Sequence, residues 1–516
     1  MMEMAGEAST AWRERGGRAR RHRAAERAHA VIAGVERRIP TYELLGEEGL
    51  ARIGAAADSI LLQVGIEFRG DEAALRLWRE AGADVQGELV RFPVGLLRSI
   101  LKSAPSAFVQ HARNAERSLA IGGGHVVFAP AYGSPFVRDL EGGRRYGTLA
   151  DFQNFVKLAY AIPWLHHSGG TVCEPVDVPV SERHLDMVAA HLTLSDKPFM
   201  GSVTAEARAE DSIEMARIAF GRQFVDARCV IMGNINANSP LVYDATMTKS
   251  LRAYARANQC AVVVPFILGG AMGPVTSAGA IAQSLAETMA GCALAQLERP
   301  GAPVVFGNFL SSTALRSGSP TFGTPEPALG SLVVGQLARR LNLPLRCSGA
   351  FTSSKIADGQ AMQESTMSML AAVQCGAHFI LHSAGWLEGG LTMGYEKFVM
   401  DADFCAALHV WMGGMALDDN ALALDAFREV GPGKHFFGSA HTLANYETAF
   451  WESAVADNNS FEQWRDEGMK DATQRAAVRC RRLIAEYERP KLDPAIEEEL
   501  ADFVRRRKAE LPDQWH

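Results

Sequence analysis

The chain has 516 residues, is 47% hydrophobic and carries a formal net charge of −7. That is ample apolar side chain for a large core, and it offers no basic field to attract nucleic acid. The N-terminus lacks the apolar core of a signal peptide, and apolar runs elsewhere are short and broken, so neither export nor a membrane span is expected. Eight scattered cysteines with no C-x-x-C pair read as reduced thiols in a cytoplasmic protein, not as a disulfide framework or structural zinc.

The first 25 residues crowd Arg13, Arg15, Arg18, Arg20, Arg21 and Arg23 together, a run read as a solvated tail. Residues 42–64 and 71–81 space Leu, Ile and Ala at helical intervals, so 1–120 is expected to be a basic tail and a helical extension. From 121 to 415 one grammar repeats: a short apolar run ends in Gly, Asn, Ser or Pro, and an amphipathic helical stretch follows. The apolar runs fall at 125–131, 164–171, 198–203, 229–233, 261–268, 303–308, 345–349 and 377–382. The helical stretches fall at 148–160, 181–194, 206–221, 244–257, 276–298, 325–342, 359–375 and 397–413.

Continuously apolar strands separated by helices imply a parallel sheet covered on its outer face, and eight βα units are the number that closes a (β/α)8 TIM barrel. A doubly wound sheet is the rival. Gly122-Gly123-Gly124 precedes its strand instead of following it, so it reads as a turn and not as a nucleotide loop. Residues 416–516 read as a C-terminal helical extension that alternates acids and bases at helix spacing. Both flanks are expected to pack on the barrel or on a second copy of the chain in a homo-oligomer.

In barrels of this kind the active site lies at the carboxyl ends of the strands. Those ends supply Tyr132 and Phe136, then His166 and His167, Asn234 and Asn236, Phe309, Phe351 and Lys355, and finally His382, Trp386 and Glu388. Small residues dominate the rest, leaving an open face. Aromatics and neutral amides outnumber acids and bases, a mixture that suits a cation held by ring faces and carbonyl oxygens. The sequence holds no H-E-x-x-H, acidic metal cluster or Walker loop. Adjacent strand side chains point to opposite faces, so at most one of His166 and His167 enters the barrel and a two-ligand metal site fails. Lys355 would serve as the Schiff-base lysine of an aldolase or lyase, and a non-catalytic amine-binding protein is a third reading. Trp386 reads as packing or as a cation-facing ring, and Glu388 as a turn cap or a charge facing that cation.

Four motifs go further: Phe351-Thr352-Ser353-Ser354-Lys355-Ile356-Ala357-Asp358-Gly359-Gln360, Gly385-Trp386-Leu387-Glu388-Gly389-Gly390-Leu391-Thr392, Gly133-Ser134-Pro135-Phe136 and Gly438-Ser439-Ala440-His441-Thr442. With them the chain resembles the trimethylamine:corrinoid methyltransferase family over almost its whole length. The resemblance implies a TIM barrel that presents a small quaternary or tertiary amine to a cognate corrinoid protein. The partner's Co(I) attacks the N-methyl carbon, so the corrinoid belongs to the partner and no metal is bound directly. Archaeal trimethylamine enzymes carry pyrrolysine, whereas this sequence has only the twenty standard residues. Members without it are similar to glycine betaine methyltransferase and act on quaternary amines. A quaternary ammonium leaves as a neutral tertiary amine, so the enzyme need only desolvate and orient it, and proximity and orientation contribute about 7–11 kcal/mol. On this reading Tyr132, Phe136, Phe309, Phe351 and Trp386 form a cation cage and Glu388 adds a compensating charge. Asn234, Asn236, Gln360 and His382 bind a carboxylate or hydroxyl of the substrate.

Overall fold

The computed structural model describes residues 31–512 and Gln514; the arginine-rich stretch 13–23 lies outside the described residues. The architecture is mixed α/β. Seven short strands form its centre: β1 His125–Phe128, β2 Phe199–Met200, β3 Ile231–Ala237, β4 Cys260–Gly269, β5 Val304–Gly307, β6 Leu345–Ser348 and β7 Phe379–Leu381. They pair in parallel in the order β1-β7-β6-β5-β4-β3-β2. Between and after them run α1 Leu149–Ala161, α2 Arg183–Leu194, α3 Glu206–Phe220, α4 Ala245–Arg256, α5 Ser277–Glu298, α6 Pro325–Arg340, α7 Gly359–Gln374 and α8 Tyr395–Met412.

The segment expected as the second strand, 164–171, follows a bent path between β1 and β2. His166 N donates to Phe128 O (3.0 Å), Ser168 N to Pro198 O (2.8 Å), and Met200 N to Gly169 O (2.8 Å), so the segment bonds to both neighbours. Two imidazoles break the regular ladder. His166 Nδ1 accepts from Phe128 N (3.0 Å) and His167 Nδ1 from Gly169 N (2.9 Å). The neighbouring histidines diverge: His166 stacks on Phe128 and nears His409 of α8, while His167 meets Phe379 edge-on.

Alternation sorts the strand side chains into two cores. Val127, Met200, Met232, Val262, Val305 and Leu381 share one cluster within the curve of the sheet. Val126, Ile231, Val263, Phe306, Leu345 and Ile380 instead pack against the helices. A hairpin of Ala107–Gln110 and Leu119–Gly122 adds Leu119, Ile121 and Phe108 to the inner cluster.

Helix starts are chemically marked. α1 begins at Thr148, which forms a capping box with Asp151, while Asp244 and Asp358 cap α4 and α7. Asp151 also accepts from Arg145 (2.6 and 2.8 Å) and from the Tyr395 hydroxyl (2.8 Å). Burial raises its pKa, but the hydrogen bonds from Arg145, Thr148 and Tyr395 outweigh it and hold the carboxyl below its ordinary value. The stabilisation is therefore fully present above about pH 3.9, the ordinary aspartate value, and is lost as the pH falls through the lowered one. Asp151→Asn is expected to lower the melting temperature more at pH 7 than at pH 3; an equal loss at both would contradict this.

The N-terminal region corrects the expectation of a helical extension. It holds helices Glu47–Ser59, Glu72–Glu80 and Leu96–Leu101, but also strands Ile66–Phe68, Asp84–Gln86 and Leu89–Arg91. The last two form a hairpin across Gly87, whose φ is 63°. Three-residue strands are too short to display their period, so helical spacing alone was visible. This region packs over α5, which explains why α5 is buried on every side from Ala280 to Gln296. At the other end, helix Ala472–Ala485 lies on α8 and α1. Helix Pro494–Glu510 ties down through Arg507–Asp211 (2.7 Å) and Lys508–Asp186 (2.7 Å). Among the described residues no helix is long and apolar enough to cross a membrane.

Candidate active site

The carboxyl ends of β5, β6 and β7 bring aromatic rings together. After Gly307 the chain resumes as a strand, Phe309–Ala314, paired with the second half of β4, and Phe309 meets Phe266 at 4.7 Å. Beyond β6, Phe351 lies 4.8 Å from Phe309 and 4.4 Å from Trp386. His382 follows β7 in the left-handed region (φ 64°), with its ring 4.7 Å from Trp386 and 5.2 Å from Phe351. Phe351, His382 and Trp386 are buried. Phe322 completes the group at 5.3 Å from Phe351 and 5.4 Å from Trp386. It comes from the β5–α6 connection, which carries no motif, and was not expected.

His382 Nδ1 accepts from Tyr132 N at 3.1 Å, so its proton sits on Nε2. Burial, and then the charge of Arg346, hold its pKa well below the ordinary value, so the ring is neutral at pH 7. Tyr132 packs on the inner cluster, and burial pushes its phenol up to about 12. Gly390, at φ 93°, lies so close to Trp386 that a Cβ there would come within 2.4 Å of the indole. Only glycine meets both demands. Gly390→Ala is expected to displace Trp386, seen as a shift in tryptophan fluorescence with a lower melting temperature; an unchanged spectrum would contradict this.

Phe136 and Glu388 sit apart from these rings. The Arg144 guanidinium lies 3.5 Å from the Phe136 centroid and donates to Glu388 at 2.7 Å. Phe136 therefore already carries a cation, one belonging to the protein. Glu388 also accepts from Thr392 (2.7 Å). Burial raises its pKa, but the Arg144 and Thr392 hydrogen bonds outweigh it and keep the carboxyl ionised. Gln360 is exposed and donates to Glu364 on its own helix (2.9 Å). Asn236 is exposed, while Asn234 is buried with no partner for Oδ1. Lys355 is exposed, its ammonium donating to Ser353 O (2.9 Å).

Three buried basic side chains, Lys197, Arg346 and Lys397, escaped the sequence reading, and the last two bear on these rings. On α8, Lys397 Nζ pairs with Asp401 Oδ1 and Oδ2 (2.5 and 2.6 Å) and donates to Ser365 (2.9 Å). Asp401 Oδ2 in turn accepts from Gly385 N (2.9 Å), just before Trp386, and Ser365 donates to Ala350 O (3.0 Å), just before Phe351. The pair thus holds the two ring-bearing loops from behind. Arg346 on β6 is fully buried and donates from Nη1 to Asn308 O (2.6 Å), and burial pushes its pKa down to about 9, so it is charged at pH 7.

A neutral histidine, a shell of rings and one buried guanidinium thus come together at the carboxyl ends of β5, β6 and β7. Among the described residues no group of three or more His, Cys, Asp or Glu could hold a metal ion. A surface groove of about 590 Å³ between α6 and α7, lined by Leu332, Met362 and Leu370 among others, contains no ionisable side chain.

The chain belongs to the trimethylamine methyltransferase (MTTB) family, which matches residues 13–512. It is 40% identical to the glycine betaine methyltransferase of Desulfitobacterium hafniense strain Y51 over 477 residues, covering 92% of this chain and 99% of that protein. It is 27% identical to trimethylamine methyltransferase MttB of the same species, strain DSM 10664 / DCB-2, covering 92% and 96%. Among solved structures, the monomethylamine methyltransferase MtmB of Methanosarcina barkeri aligns over 91% of this chain and 98% of that one, with a TM-score of 0.46 and 10% identity.

Proposed function

We propose that this protein transfers a methyl group from a betaine-like quaternary amine to the Co(I) corrinoid of a partner protein. The observation that carries this reading is the cluster of Phe309, Phe322, Phe351 and Trp386 around a neutral His382. It is supported by the 40% identity to a glycine betaine methyltransferase. A ring face over a desolvated cation contributes on the order of 2 kcal/mol. When the C–N bond breaks, its electron pair stays on nitrogen and the amine leaves neutral, so no proton is needed. His382 accordingly serves by being uncharged, adding no repulsion to the ammonium.

The frame for this chemistry is a closed (β/α)8 barrel at 121–415, with flanks at 1–120 and 416–516. Closure is supported by the bonds that segment 166–169 makes to β1 and β2. The corrinoid is the second substrate, carried in by the partner, and it supplies the nucleophile. The rim beyond β4, Gly270-Ala271-Met272-Gly273-Pro274, is small and largely exposed, which leaves room for a flat macrocycle. Exposed Phe427, Phe437, Phe450 and Phe461 favour burial against a second copy in a homo-oligomer. Free, buried cysteines fit a cytoplasmic setting.

The test supplies quaternary and tertiary amines with a Co(I) corrinoid and identifies the demethylated amine by mass spectrometry. Glycine betaine is expected to yield dimethylglycine; loss of a methyl group from trimethylamine alone would overturn the quaternary assignment. A lyase using Lys355 would require a desolvated amine, and this one is exposed. Lys355→Ala is expected to keep methyl transfer within about twofold, and borohydride to trap no imine.

A further inference from the structure

We propose that Arg346, together with Ser348, reads a carboxylate on the amine substrate, making the site selective for zwitterionic quaternary amines. The inference rests on the reading of an amine substrate above and adds the group that selects among amines.

Arg346 faces into the curve of the sheet. Its neighbours Leu345 and Cys347 pack against the helices, so alternation turns Arg346 and Ser348 to the other side. The side chain is 0% exposed. Nη1 is held by Asn308 O at 2.6 Å, and the Asn308 amide is itself fixed by donation to Ser331 (3.0 Å). The other two nitrogens, Nε and Nη2, meet no acceptor, and among the described residues no carboxylate forms an ion pair with this guanidinium. A buried charge without a counterion is strongly unfavourable, and stable folds almost always pair it. Here the fold supplies a rigid anchor for the cation and leaves its counter-charge to come from elsewhere.

The surroundings say what that counter-charge is attached to. The guanidinium carbon lies over the Phe309 ring, 5.1 Å from its centroid, so that face of Phe309 carries the protein's own cation and the ammonium is left to the neighbouring rings; its charge also bears on His382. Arg346 therefore adjoins the rings assigned to the ammonium. Ser348, on the same face of β6, has a buried hydroxyl with no partner, as does the Trp386 indole N–H. Two free guanidinium nitrogens, a hydroxyl and an indole are all donors, the complement of carboxylate oxygens, and a planar guanidinium favours bidentate contact. Ring faces beside a donor array fit one short molecule that is positive at one end and negative at the other. Choline, tetramethylammonium and trimethylamine lack the negative end.

The test is calorimetric, with glycine betaine and tetramethylammonium as probes of the full chain and of Arg346→Met and Arg346→Lys. The unaltered protein is expected to bind glycine betaine on the order of 100-fold more tightly than tetramethylammonium. Arg346→Met should lose most of that margin while its tetramethylammonium affinity holds or rises, since a neighbouring positive charge is removed, and Arg346→Lys should fall between. Without ligand, Arg346→Met should melt no lower than the unaltered protein, because it removes an unpaired buried charge; a structural arginine would do the opposite. The proposal is overturned if the unaltered protein binds neither probe or shows no margin. It is also overturned if both affinities fall together in Arg346→Met, or if that variant melts lower. An arginine-dependent margin without methyl transfer to Co(I) would leave the carboxylate reader standing and refute the methyltransferase reading alone.

Discussion

Replacing Trp386 by leucine is expected to reduce kcat/KM for a quaternary amine about 30-fold, the equivalent of roughly 2 kcal/mol of cation–ring attraction in a desolvated site. Trp386 is the ring that joins the parts of the cluster, lying 4.4 Å from Phe351, 4.7 Å from His382 and 5.4 Å from Phe322. Leucine keeps apolar bulk in that buried position while removing the π face. Trp386→Phe keeps a weaker face and should fall between. Initial rates of dimethylated product at subsaturating amine give the measurement. A leucine variant equal to the phenylalanine variant would show that bulk, and not the ring, is what the site needs.

Asp401→Asn is expected to destabilise the fold by about 3–5 kcal/mol, because it strands the Lys397 ammonium in a fully buried position. Burial, opposed by Lys397, holds the Asp401 carboxyl at about 6, and burial likewise lowers Lys397. The same carboxylate accepts the Gly385 amide, and the ammonium reaches Ala350 O through Ser365. Activity should therefore fall along with stability. Removing both charges, Lys397→Met with Asp401→Leu, should recover part of the melting temperature without recovering activity, since leucine leaves Gly385 N without an acceptor. A double variant that melts below Asp401→Asn would contradict the stranded-charge explanation.

The helices were legible because each carries its own local signal. Thr148, Asp244 and Asp358 cap three of them, and the apolar runs other than 164–171 fall on β1 through β7. What failed locally was decided by distant partners. Segment 164–171 keeps backbone bonds to β1 and β2, yet His166 and His167 accept the amides of Phe128 and Gly169 and break the regular ladder. Phe309, Phe351, His382 and Trp386 come together because a strand end fixes position in space as well as in sequence. Phe136 and Glu388 sat in equally distinctive motifs but face Arg144, which lies 244 residues from Glu388 in the chain. Arg346 was hidden inside a run read as apolar. The signal was present in Leu345-Arg346-Cys347-Ser348, where each inward position is polar and each outward one apolar.

The most direct measurement follows Co(I) absorbance and dimethylglycine together when glycine betaine is added to the protein with a Co(I) corrinoid. One dimethylglycine is expected to appear for each Co(I) consumed, with neither changing when the protein is left out. No consumption of Co(I) with glycine betaine or any other quaternary amine would contradict it.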